Sequence, residues 1–361
     1  MGEKRPEYIE GVGWRFENEH SMKRRMESHD YQSRSIYMIT ICVTGRRPLL
    51  GALRDGPSPW VEPTELGVEV ERCWHAIPVH YPEVRLLEFQ LMPDHVHGLL
   101  FVERKMESHL GQIIKGFKIG CSKAKWRLEE ALPGSRALNY NSTHKTSHKT
   151  PHDTPATSRR EPLFESGYHD SVLKGAGQLE RMFRYIKDNP RRLATKRKFP
   201  DMFKVVAEVE VNGTKYAAVG NRWLLDRPVR MQVCCHNNTS QENLHLIARQ
   251  KEYFLAHGKK GGVVVSPCIS PGEKEIAHAA LDAGVPLIVI LENGFPTQYK
   301  PPGKYFDACA SGLLLMLAPW PHHAGNRKIT RIQCLALNDM ARAISTEPWT
   351  SMLETYPSNH P

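Results

Sequence analysis

The sequence predicts two domains of different class, an α+β domain on an antiparallel sheet followed by an α/β domain on parallel strands. Three observations predict this. In the first half, strand-type and helix-type runs follow in the order β-α-β-β-α-β, the ferredoxin-like split βαβ arrangement with helices on one face. In the second half, short continuous apolar runs alternate with helical segments, as strands buried on both faces require. Finally, 361 residues with 40% hydrophobic side chains suffice for two cores.

Residues 1–34 are charged and weakly patterned, and read as an arm. Ile36–Val43 is β-branched and aromatic and meets Gly45, so it reads as a strand. Thr64 caps a helix to about Val79, with Leu66, Val70, Trp74 and Ile77 at helical spacing before Pro78 and Pro82 close it. Val84–Met92 and Val96–Val102 are strands parted by the turn pair Pro93-Asp94. Ser108 then caps a helix to about Glu130. Leu110, Ile113, Ile114 and Phe117 lie on one side of it, and Lys115, Lys118, Lys123 and Lys125 around the rest.

Residues 131–160 break the pattern. Ser142–Pro155 is low in complexity with nothing to bury, and the segment reads as a disordered insertion. His144, His148 and His152 have helical metal-ligand spacing, but their neighbours are Thr, Ser and Pro. Leu163–Val172 is a strand, and Gly175-Ala176-Gly177 leads into a helix from Gln178 to Asn189. Residues 35–198 thus form the first domain. A connector, 199–226, holds a hairpin of Val205–Val211 and Lys215–Val219 turned at Asn212-Gly213. The second domain, 227–361, has strands at Val229–Cys235, Gly262–Ser266, Pro286–Leu291 and Leu313–Leu317. Its helices are Gln241–His257, Glu273–Ala283, Tyr305–Ala310 and Thr330–Ile344.

A net charge of +10 favours an acidic partner. The charge sits mostly in the first half: residues 1–200 hold 33 Lys and Arg against 25 Asp and Glu, the remainder 16 against 14. Eight cysteines without a CxxC pair argue against a zinc ribbon and against a disulfide framework. The N-terminus has no apolar signal region, and the longest apolar runs are too short to span a bilayer. The expectation is a soluble, cytoplasmic protein with no membrane partner.

Chemistry concentrates at two places. His95 and His97 alternate along a strand, so both face one way and can share a divalent cation. Tyr185 and Asn189 are one helical turn apart. An amide oxygen suits a hard ion such as Mg²⁺ or Mn²⁺, and a phenol beside it can attack a phosphodiester that the metal polarises. The bland alternative is that Tyr185 packs and Asn189-Pro190 ends the helix. Arg181, Arg184, Arg191 and Arg192 crowd the same segment; with Lys115 and Lys118 they form a candidate phosphate track. No cofactor-binding residues other than metal ligands stand out.

Met92-Pro93-Asp94-His95-Val96-His97-Gly98-Leu99-Leu100 resembles the HUH signature of the single-tyrosine transposases. Gly167-Tyr168-His169-Asp170 and Tyr185-Ile186-Lys187-Asp188-Asn189-Pro190 resemble the matching motifs of their REP-associated branch, over about residues 35–197. The resemblance implies that His95, His97 and Asn189 hold the ion and that Tyr185 forms a 5′-phosphotyrosine. The substrate it implies is single-stranded DNA at a hairpin or palindromic repeat, with a homodimer as a further expectation. In the second half, Ile276–Leu281 with the strand after it, and Asn326-Arg327-Lys328-Ile329, resemble the Rossmann-like core of the DNA-processing protein A (Smf) family. The turn Ser266–Gly272 before a helix suggests a phosphate site. The alternative function is a non-catalytic or domesticated DNA-binding protein whose second domain binds DNA or a nucleotide.

Overall fold

The structure is a computed structural model. It describes residues 28–131, 160–235, 241–296, 299–323 and 327–346, and the backbone of two short strands at 7–9 and 13–15. The chain divides into two compact units, Met1–Ala194 and Thr195–Pro361. His144, His148, His152 and Asn326 lie outside the described residues.

The N-terminal unit begins with a small hairpin, β1 (Glu7–Ile9) and β2 (Gly13–Arg15), in the segment read as an arm. There follow β3 (Ser35–Cys42), the short pair β4 (Gly51–Arg54) and β5 (Trp60–Pro63), α1 (Glu65–His75), the single turn α2 (Ile77–His80), β6 (Val84–Met92), β7 (His95–Val102), α3 (Leu110–Ala131), β8 (His169–Leu173) and α4 (Gln178–Lys198). The main sheet runs β6-β7-β3-β8 with every pair antiparallel. Its face of Tyr37, Ile39, Ile41, Val96, Leu100 and Val102 packs on Val70 and Trp74 of α1 and Ile113, Ile114 and Phe117 of α3. Gly98 is there because Trp74 is: a Cβ at position 98 would sit 2.2 Å from the indole ring.

Thr64 caps α1 as expected, accepting from the Gly67 N–H at 3.0 Å. The helix stops at His75, before Val79, since Pro78 has no N–H to continue the ladder and the chain restarts as α2. At α3 the expected cap Ser108 is replaced by His109, whose Nδ1 accepts from the Gly111 N–H. The strand expected from Leu163 starts only at His169, because α3 intercepts the backbone before it. Ser122 Oγ accepts from the Leu163 N–H (3.1 Å), and Trp126 Nε1 and Lys125 Nζ donate to the Glu161 carbonyl (3.2 and 3.3 Å). Lys118 Nζ donates to the carbonyls of Glu165, Ser166 and Gly167.

The helix bearing Tyr185 does not end at Asn189. It runs through Pro190 to Lys198. Pro190 leaves the Ile186 carbonyl without its backbone donor. The Asn189 amide nitrogen supplies one instead, donating to the carbonyls of Tyr185 (2.8 Å) and Ile186 (3.4 Å).

The C-terminal unit contains α5 (Pro200–Phe203), β9 (Val206–Val211), β10 (Thr214–Gly220), β11 (Arg230–Gln232), α6 (Gln241–Lys259), β12 (Val263–Ser266), α7 (Pro271–Asp282), β13 (Leu287–Ile290), α8 (Lys304–Ala310), β14 (Leu314–Ala318) and α9 (Arg331–Ile344). One sheet orders them β11-β12-β13-β14-β10-β9. The first four are parallel, as the buried apolar runs required. The hairpin read as part of a connector joins this sheet, with β10 antiparallel to β14. Its turn has Asn212 and Gly213 both at positive φ (50° and 77°), the twist a two-residue hairpin favours. Phe254, Ile276 and Phe306 pack one face of the sheet, and Leu337, Ala341 and Ile344 of α9 the other.

No helix among the described residues is long and apolar enough to cross a membrane. All eight cysteines are free thiols.

Candidate functional site

β7 opens on the histidines. Because Val96 and Leu100 face α1 and α3, His95 and His97 lie on the opposite face of the sheet. They are 7% and 3% exposed, so two imidazoles are held away from water and need partners. The Nε2 atoms of the two rings face each other at 3.2 Å. Each outer nitrogen is engaged elsewhere: His95 Nδ1 lies 2.6 Å from Asp94 Oδ1, and His97 Nδ1 lies 2.8 Å from Thr40 Oγ1 on β3. Thr40 stands directly opposite His97 in the register, which is why its hydroxyl reaches the ring.

Tyr185 comes to the same place from α4. Its ring lies 5.8 Å from that of His97, and the Arg192 guanidinium lies 5.9 Å from its centroid. Burial raises the phenol above its ordinary pKa, and the Arg192 charge opposes the rise. Asn189, one turn further along and 6% exposed, commits its amide nitrogen to its own helix, so the oxygen is the atom it has to offer. The bland alternative of a packing tyrosine at a helix end therefore fails on its second half, since the helix continues. Three distant segments meet here.

No protein-family model matches this chain. It is similar to an uncharacterized protein of Haemophilus influenzae, 24% identical over 173 residues that make up 47% of this chain and 88% of that one. Among solved structures it is similar to a REP-associated tyrosine transposase bound to a REP hairpin, with 11% identity, 47% of this chain and 74% of that chain covered, and a TM-score of 0.26. It is also similar to DNA processing protein A from Helicobacter pylori, in a structure concerned with its single-stranded DNA binding. That overlap has 17% identity, covers 37% of this chain and 58% of that chain, and has a TM-score of 0.28. At these TM-scores, what the chain does rests on its own side chains.

The donor set fits a divalent cation. Two imidazole nitrogens converge on one point with their outer nitrogens already engaged, the arrangement metal-ligating histidines adopt. No cluster of three or more His, Cys, Asp and Glu side chains that could hold a metal stands among the described residues, so a third donor to this pair would be of another kind. An amide oxygen, as on Asn189, is a hard donor of that other kind.

The basic residues divide. Lys115 on α3 and Arg181 and Arg184 on α4 are exposed. Arg191 makes a two-point contact with Asp188 (2.5 and 2.9 Å), and Arg192 leans on both Asp188 and Tyr185. Lys118 turns inward to its three carbonyls, and burial lowers its pKa. It organises the segment before β8.

Sequence reasoning missed Asp94, Thr40 and Arg46. Arg46 Nε pairs with Asp94 Oδ2 at 3.0 Å, and Arg46 Nη1 donates to Cys42 Sγ at 2.8 Å. Gly45 and Arg46 are both left-handed, at φ 67° and 56°. Burial pushes the Asp94 carboxyl up, but the hydrogen bond from His95 and the charge of Arg46 together hold it below its ordinary value. Only Asp94 carried a signal, its adjacency to His95.

In the C-terminal unit, the turn read as a phosphate site is filled by the protein itself. Glu273 Oε2 accepts from the N–H groups of Ile269 (2.7 Å) and Ser270 (3.1 Å), and Ser270 Oγ accepts from the Glu273 N–H. This capping box uses the donors that a phosphate would need.

Proposed function

We propose that the N-terminal unit is a ferredoxin-like, HUH-type domain that cleaves and rejoins single-stranded DNA with Tyr185 as nucleophile. In this reading His95, His97 and Asn189 hold Mg²⁺ or Mn²⁺. The observation that carries it is the packing of the Tyr185 ring against His97, whose Nε2 faces that of His95 on one face of the sheet.

The bound ion supplies electrostatic stabilisation of the phosphoryl oxygens. Tyr185 Oη forms a bond to phosphorus as the bond to the 3′ oxygen breaks. The 5′-phosphate stays on the tyrosine, the phenolic proton passes to solvent, and the departing 3′ oxygen takes up a proton from solvent to leave as a hydroxyl. Arg192 favours the phenolate that burial disfavours. Lys115, Arg181 and Arg184 are the exposed groups available to backbone phosphates. The substrate is a hairpin or palindromic repeat, and the C-terminal unit is a Rossmann-like accessory domain.

The test is a labelled single-stranded oligonucleotide incubated with Mg²⁺ or Mn²⁺. Wild type is expected to form a covalent adduct that EDTA prevents. Tyr185→Phe is expected to bind the oligonucleotide and form none. An undiminished adduct in that variant overturns the assignment.

A further inference from the structure

We propose that Asp94 and Thr40 are positioning residues for the two histidines, with unequal roles: Asp94 locks one ring and Thr40 lets the other switch. The inference rests on the metal reading above and concerns how the chain makes that pair receptive to a cation.

An imidazole shows its environment two different nitrogens, and the partner of one decides what the other can do. An ionised carboxylate only accepts, so Asp94 obliges His95 to carry its proton on Nδ1 and keep a lone pair on Nε2. The 3.2 Å contact between the Nε2 atoms is a hydrogen bond and needs one proton. Asp94 has assigned it: His97 donates from its Nε2, and His97 Nδ1 accepts from the Thr40 hydroxyl.

A cation shared by both Nε2 atoms needs a lone pair on each. His95 is already in that form. His97 must move its proton to Nδ1, and Thr40 must then accept where it donated. A hydroxyl can do either, so the change needs no net charge and no backbone movement. A carboxylate at position 40 would fix one form, and an apolar group would support neither.

Asp94 is itself held. The consecutive left-handed residues Gly45 and Arg46 turn the guanidinium onto Asp94 and Cys42. A non-glycine residue at φ 56° is maintained only where its surroundings require it. Arg46 thus positions Asp94 as Asp94 positions His95.

The experiment is Mn²⁺ titration of the full chain followed by electron paramagnetic resonance of the free ion. Histidine tautomers are read in parallel from long-range ¹⁵N–¹H correlations. Asp94→Ala and Thr40→Val are expected to weaken Mn²⁺ binding ~10–100-fold, and Thr40→Ser, which keeps the hydroxyl, to restore wild-type affinity. His95 is expected as its Nδ1–H tautomer throughout, and His97 to change from Nε2–H to Nδ1–H on adding Zn²⁺ as a diamagnetic ion. Wild-type Mn²⁺ affinity in Thr40→Val and Asp94→Ala, with His97→Ala unable to bind, would overturn the positioning roles and leave the metal site standing. Undiminished binding in His97→Ala would overturn both. If Asp94→Ala fails to fold, the near-isosteric Thr40→Val and Thr40→Ser pair decides alone.

Discussion

Two clusters of buried polar side chains sit at strand ends in this molecule, one in each unit, and they are organised in opposite ways. Around β12 and α7, Ser266, Ser270 and Glu273 are 0%, 6% and 2% exposed. Their hydrogen bonds close on their own turn: Ser266 Oγ accepts from the Cys268 N–H, and Glu273 and Ser270 accept from the turn that carries them. Around β7, His95, His97 and Asn189 are as deeply buried. There the outer ring nitrogens of His95 and His97 are anchored and their Nε2 atoms face each other, while the Asn189 amide nitrogen returns to its own helix. Burial of polar groups does not by itself mark a functional site. What sets the β7 cluster apart is that two of its nitrogens, from different side chains, face each other.

The largest effect is expected at His97. His97→Ala is expected to reduce metal-dependent cleavage by more than the ~10–100-fold that loss of an outer partner costs, as measured by single-turnover assay. Retained cleavage would place the two clusters on an equal footing. Its counterpart, Glu273→Ala, is expected to leave cleavage unchanged. It should lower stability to urea by about 1–3 kcal/mol, since buried N–H groups and a helix cap lose their acceptor.

A pH series sharpens the same contrast. Burial raises the Glu273 pKa, against the hydrogen bonds from the turn. The folded state therefore holds this proton more tightly than the unfolded chain. Stability from this group is present below the unfolded value and is lost as pH rises through the folded one. Glu273→Gln is expected to flatten that slope in urea titrations above pH 4. An unchanged slope would remove Glu273 as its source. The smallest effect belongs to the exposed cations: Arg184→Ala is expected to weaken oligonucleotide binding a few-fold and reduce the salt slope by ~0.7. An unchanged salt slope would take Arg184 out of the phosphate track.

Much of this was legible because it is local. Strand alternation puts His95 and His97 on one face, helical spacing stacks Asn189 on Tyr185, and the buried runs of the second half are parallel strands. Other features depend on partners far along the chain. Pro190 reads as a helix stop, and only the folded position of the Asn189 amide shows why the helix goes on. Lys118 reads as one more surface charge until the carbonyls of 165–167 are in place around it. Thr40 lies in a strand indistinguishable from any other, and its role exists only in the register with β7. The hairpin of β9 and β10 was visible as a hairpin, but not the edge it would join.

The grip of α3 on residues 161–167 has a consequence for how the chain can be cut. Four side chains of the helix, Lys118, Ser122, Lys125 and Trp126, fasten the return of the chain toward β8. These hydrogen bonds join α3 to that segment directly. Two polypeptides, one ending near 131 and one beginning near 160, are expected to reassemble on mixing. The first would carry both histidines and the second the tyrosine, so on the proposed function neither piece alone would cleave and the mixture would.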